Sequence, residues 1–65
     1  MKITVNGDPR EVASGTVQAV LDELGYGAAK VATAVNETFV PAGARGATRL
    51  VEGDRLEIVA PRQGG

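Results

Sequence analysis

The 65-residue sequence has no cysteine, no histidine and no tryptophan, and only one tyrosine and one phenylalanine. Without cysteine it can form no disulfide, no thiolate metal site and no cysteine nucleophile; without histidine it lacks the commonest general base and the commonest metal ligand. A charge surplus is missing too, because seven lysines and arginines stand against eight aspartates and glutamates, for a net charge of −1. With no basic stripe there is no electrostatic footprint for nucleic acid. Long apolar runs are also lacking. No stretch approaches the ~20 residues that cross a bilayer, and Met1-Lys2-Ile3-Thr4-Val5 alternates where a secretory leader would be continuously apolar. The expectation is a cytoplasmic protein with no membrane contact, no bound metal and no resident cofactor.

What the chain does have is aliphatic bulk: fifteen valines, leucines and isoleucines. In a chain this short they serve one domain, near the lower size limit for an independent fold, where only about 60% of the chain's surface is buried. Residues 1–60 should form that domain and residues 61–65 a flexible tail.

Lys2 to Asn6 alternates with period two, putting Ile3 and Val5 on one face of a strand and Lys2, Thr4 and Asn6 on the other. Asn6-Gly7-Asp8-Pro9 is turn chemistry, and Arg10-Glu11-Val12 is expected to return as the second strand of a hairpin. Thr16 is placed to cap a helix. Val17, Val20, Leu21 and Leu24 follow at the spacing of one apolar stripe, with Gln18, Asp22 and Glu23 toward water. Gly25 stands where a left-handed cap ends such a helix, and the acids of the last turn oppose its dipole. After a small-residue connection, Tyr26 to Lys30, come three more strands: Val31 to Val35, Thr38 to Val40, and Arg55 to Ala60. Asn36-Glu37 and Glu52-Gly53-Asp54 are turns, and Ala42 to Thr48, with two glycines and no periodicity, reads as loop. The last strand carries Leu56 and Ile58 on one face and Arg55, Glu57 and Val59 on the other.

Two strands before a single helix and the rest after it predict an α+β fold, a mixed sheet of four to five strands with the helix packed across one face. If the first strand pairs in parallel with the last in the middle of the sheet, this is the β-grasp arrangement of ubiquitin-like proteins. Element order alone permits other sheets.

The tail Pro61-Arg62-Gln63-Gly64-Gly65 follows the final apolar run and offers nothing to a core. Glycine loses the most conformational freedom on ordering, so stability does not explain two of them here. One reading is a frayed end or an appended remnant. The other is functional: a narrow strip of chain with its carboxylate at the tip, able to enter a tight enzyme channel, its five residues reaching about 17 Å when extended. Two glycine patterns carry less. Gly25-Tyr26-Gly27-Ala28-Ala29-Lys30 lacks the third glycine of a dinucleotide fingerprint and follows a helix, and Gly43-Ala44-Arg45-Gly46-Ala47-Thr48 has no lysine in the phosphate-loop position. Glu11, Asp22, Glu23, Asp54 and Glu57 fall on turns and solvent-facing positions and read as solvated surface. Arg62 lies in the tail and is a candidate contact to an activating enzyme. Val59, on the open sheet face, is a candidate docking residue with Phe39, although core packing is the first expectation for a lone phenylalanine.

The chain resembles the ThiS family, sulfur carriers of bacterial thiamin biosynthesis with a ubiquitin-like β-grasp fold. The matching pieces are Ile3-Thr4-Val5-Asn6-Gly7 with Pro9-Arg10-Glu11, Thr16-Val17 leading a helix that ends Leu24-Gly25, and Val35-Asn36-Glu37 before Phe39-Val40-Pro41. Glu52-Gly53-Asp54, Leu56-Glu57-Ile58-Val59 and Gln63-Gly64-Gly65 complete the match. Ala42 departs from it, since the family often has arginine there; either Arg45 substitutes or that contact is absent. The resemblance implies that Gly65 is adenylated by an E1-like, ThiF-type adenylyltransferase and converted to a thiocarboxylate, with Gly64, Gln63 and Arg62 entering the partner's active site. It implies a sulfur donor such as a cysteine desulfurase and a ThiG-type thiazole synthase as acceptor. The chain would be a co-substrate rather than an enzyme, and monomeric when free. The same fold and tail would also serve a carrier for molybdopterin or cysteine synthesis, or a ubiquitin-like modifier conjugated through Gly65.

Overall fold

The computed structural model of the chain describes residues 1–27 and 29–60. Alternation sets the first strand as expected: β1 (Lys2–Val5) buries Ile3 and Val5. A left-handed corner at Asn6 and Gly7, with φ of 51° and 87°, turns it into β2 (Asp8–Glu11). This second strand begins earlier than its sequence suggests, taking in Asp8 and Pro9. It is an edge strand, so the missing proline N–H leaves no gap inside the sheet. Val12, expected within the strand, lies just past it. It is buried all the same, and its amide donates to the Met1 carbonyl at 2.9 Å.

The helix is α1 (Val17–Glu23), capped by the Thr16 hydroxyl, which accepts from the Ala19 amide at 3.2 Å. Val17, Val20 and Leu21 of its apolar stripe are buried against the sheet and Leu24 is half-buried. Gly25, at φ 92°, ends it by donating to the Asp22 carbonyl at 3.2 Å, and Tyr26 donates to the Leu21 carbonyl at 2.7 Å. This paired closure satisfies the last carbonyls and lays Tyr26 on the core. The acid at the helix end is less of a defect than its position suggests. The Glu23 carboxylate accepts from the amides of Ala13 and Ser14 at 3.1 Å each, tying the incoming loop to the outgoing end of the helix.

Then follow β3 (Ala32–Val35), β4 (Thr38–Val40), one 3-10 turn (Ala42–Ala44) inside the segment read as loop, and β5 (Arg55–Val59). The five strands lie in the order β2-β1-β5-β3-β4, with β1 and β5 parallel and the other neighbours antiparallel. The parallel pair in the middle realises the β-grasp expectation. Leu50 joins the core from outside any strand. The Thr16–Arg49 bridge and the Leu50 amide on the Gly15 carbonyl, at 2.8 Å, draw it under the helix start.

Candidate functional site

The tail predicted to carry the chemistry continues from the central strand. On one side β5 meets β1 through Thr4–Arg55 and Val5–Leu56; on the other it meets β3 from Val35–Leu56 out to Ala32–Val59. Ala60 is the next and last described residue. Arg62, Gln63, Gly64 and Gly65 lie outside the described residues, as does the expected flexibility of 61–65. What the fold defines is their root, the end of β5, which β3 accompanies as far as Val59 while the β1 pairing stops at Leu56.

Two asparagines act on that strand, and neither stood out in the sequence as functional. Both occupy hairpin corners with left-handed backbone, Asn6 at φ 51° and Asn36 at φ 49°. Asparagine tolerates this conformation better than other residues with a Cβ. Asn6 donates through Nδ2 to the Ile58 carbonyl at 3.1 Å and accepts through Oδ1 from the Ile58 amide at 2.8 Å. Asn36 accepts from the Arg55 amide at 3.0 Å and donates to the Asp54 carboxylate at 2.9 Å. The only signal in the sequence is the repeated Val-Asn step, Val5-Asn6 and Val35-Asn36.

The face of the sheet away from the helix brings the two candidate docking residues together. Phe39 is 64% exposed and Val59 62%. They line one shallow depression of about 240 Å³ with Ala32, Ala34, Asn6 and Glu57. Core packing of Phe39 is therefore incorrect. Val40, paired with Thr33, takes the buried position of β4, and strand alternation then forces Phe39, opposite Ala34, to the other face.

Beside the end of β5 a second hollow, of about 460 Å³, is lined by Ala29, Lys30, Val31, Ala32, Ala42, Arg45 and Val59. Arg45 donates to the Thr33 hydroxyl at 3.3 Å and to the Val31 carbonyl, fastening the 3-10 turn to the start of β3. Arg45 and Ala42 line the same hollow.

Among the described residues no group of three or more acids is arranged to hold a metal ion. Of the acids read as solvated surface, Glu11, Asp22, Glu23 and Glu57 are exposed and Asp54 is half-buried, and three acids have backbone partners, Glu52 accepting from the Lys2 amide at 3.0 Å. Asp54 accepts from the Val51 amide at 2.8 Å, and Glu23 holds Ala13 and Ser14. The Ala13 amide, followed by Ser14, lowers the Glu23 carboxyl below its ordinary value of 4.5.

The sequence profile of the ThiS family matches residues 3–65. The chain belongs to the ThiS family. Its structural relatives agree. The crystal structure of the thiamine biosynthesis protein ThiS from Geobacter metallireducens superposes with a TM-score of 0.84 at 32% identity, over 100% of both chains. The solution structure of a thiamine biosynthesis protein from the same organism gives 0.81 at 30% identity, over 100% of this chain and 88% of the other. Among curated proteins, a thiazole synthase of Paramagnetospirillum magneticum is 44% identical over 100% of this chain and 20% of its own length. One from Magnetococcus marinus is 40% identical over 91% of this chain and 18% of its own. This ThiS family chain thus spans about a fifth of the length of the curated relatives it matches.

Proposed function

We propose that the chain is the sulfur carrier for thiazole formation in thiamin biosynthesis and that Gly65 is the residue loaded. The observation that carries this reading is the reach of the ThiS match through residue 65, which places Gly64 and Gly65 inside the family's pattern. A free carboxylate is a poor electrophile. In the proposed reaction a Gly65 carboxylate oxygen attacks the α-phosphate of ATP on an E1-like enzyme and pyrophosphate leaves. The resulting acyl adenylate is attacked at its carbonyl carbon by a sulfur nucleophile supplied from a donor such as a cysteine desulfurase. AMP leaves with formation of an acyl disulfide to the donor's persulfide sulfur; a thiol then cleaves that S–S bond, is itself oxidised to a disulfide, and releases the thiocarboxylate.

The chain itself supplies no acid, base or metal to these steps; it is a protein co-substrate, a macromolecular counterpart of group carriers such as CoA. Arg62, Gln63 and Gly64 would thread the partner's channel while the open face around Phe39 and Val59 docks outside it. The two thiazole synthases that contain a stretch similar to this chain support a synthase as the sulfur acceptor, because a carrier held in the same polypeptide is permanently beside its acceptor. The test is the intact mass of the chain after incubation with the host's E1-like enzyme, ATP and a sulfur source. A gain equal to replacing one oxygen by sulfur, located on Gly65, is expected. An unmodified terminus, under conditions that load a control carrier, sinks the reading.

A further inference from the structure

We propose that Asn6 is the positioning residue for the reactive tail: its side-chain amide holds the last stretch of β5 in line where the main chain of β1 no longer can. The argument rests on the carrier reading above and starts from the parallel ladder. The Thr4 amide donates to the Asp54 carbonyl at 3.0 Å and the Asn6 amide to the Leu56 carbonyl at 2.9 Å. The next rung would take the Asn6 carbonyl as acceptor for the Ile58 amide and the Asp8 amide as donor to the Ile58 carbonyl. At Asn6 and Gly7 the main chain has turned left-handed and heads into the edge strand. The Asn6 carboxamide, the same functional group as a peptide unit, supplies both missing partners to Ile58. The ladder is extended by one rung without a strand to carry it, and that rung lies two residues before Ala60.

Asn36 is an internal control. It has the same left-handed corner and the same carbonyl-to-amide bond onto β5, but at Arg55, the end away from the tail. A purely structural role for the corner asparagines would make the two equivalent. If Asn6 aims the tail, only the Ile58 end matters to the chemistry, because a loosened root lowers the fraction of docked complexes whose carboxylate is in place.

The test compares Asn6→Gly with Asn36→Gly, since glycine keeps the positive φ and removes only the amide. Each variant is assayed as the full 65-residue chain, at a temperature where circular dichroism shows it folded, by ATP–pyrophosphate exchange with the host's E1-like enzyme. Amide hydrogen exchange is followed in parallel. Asn6→Gly is expected to lower kcat about tenfold with KM unchanged, below the ~100-fold that a 1 Å misplacement can cost, and to speed exchange at Ile58; Asn36→Gly should leave kcat near wild type. Equal falls in kcat overturn the proposal. So does a rise in KM without faster exchange at Ile58, which would mean that Asn6 touches the enzyme directly. A wild-type chain inert in the assay overturns the carrier reading instead, and unchanged exchange at Ile58 in Asn6→Gly would still refute the clamp.

Discussion

The two faces of the sheet are built from the same strands and do opposite things. On the helix side Ile3, Val5, Leu56 and Ile58 interlock with Val17, Val20 and Leu21, each no more than 6% exposed. On the other side lie Lys2, Thr4, Glu57, Ala32, Ala34, Phe39 and Val59, where two of the chain's larger apolar side chains are exposed and, among the described residues, no element covers them. The first face makes the domain stable; the second, with the tail that β5 leads into, is the side proposed above to meet partners. Small size sharpens the division, because one helix can cover only one side.

The comparison can be tested by separating stability from function. The largest effect expected is from removing Gly64 and Gly65: loss of all sulfur loading by intact mass, with the thermal midpoint unchanged. A large drop in midpoint would show that the tail belongs to the folded domain after all. Next is Leu56→Ala on the covered face, a fully buried side chain in the central strand. It should cost about 2–5 kcal/mol in chemical denaturation, enough to threaten so small a fold. Its counterpart on the open face, Phe39→Ala, should change stability by less than about 0.5 kcal/mol while weakening partner binding by about 1–2 kcal/mol in titration calorimetry. If Phe39→Ala destabilised the fold as Leu56→Ala does, the two faces would not be distinct.

Smaller effects refine the covered side. Gly25→Ala forces a Cβ into a left-handed cap at φ 92° and should cost about 1 kcal/mol, with the loss seen first as faster amide exchange in the last turn of the helix. The smallest effect is electrostatic. Glu23 has a folded-state carboxyl held below 4.5, so the folded state binds its proton less readily than the unfolded state. Its contribution is fully present above that value and is lost as pH falls through the lowered one. Thermal midpoints of wild type and Glu23→Gln should therefore differ at pH 7 and converge in strong acid. Curves that stay parallel down to pH 2 would remove Glu23 from the account.

Much of this was legible in the sequence, because local chemistry carried it. The period-two run at Lys2–Val5, the cap at Thr16, the apolar stripe from Val17 and the left-handed stop at Gly25 each act within a turn or two of chain. Elsewhere the deciding contact was distant. Pro9 joins a strand because that strand is an edge, and Val12 and Leu50 enter the core because neighbouring segments draw them in. Phe39 was misjudged because a lone phenylalanine suggests a core until the register with Ala34 is known. The anchoring of Arg45 on Val31 and Thr33, and of Asn6 on Ile58, spans sequence separations that no local pattern reports.

By itself, the sequence determined the element order, which side chains seek burial and the absence of cysteine and histidine chemistry, since these follow from side-chain type and spacing alone. Only the tertiary structure decided that β1 and β5 lie parallel at the centre, that Phe39 and Val59 share a face, and that an asparagine corner finishes the ladder before the tail. Those features depend on which strands become neighbours. That choice is set by how the strands assemble over α1, and no short stretch encodes it.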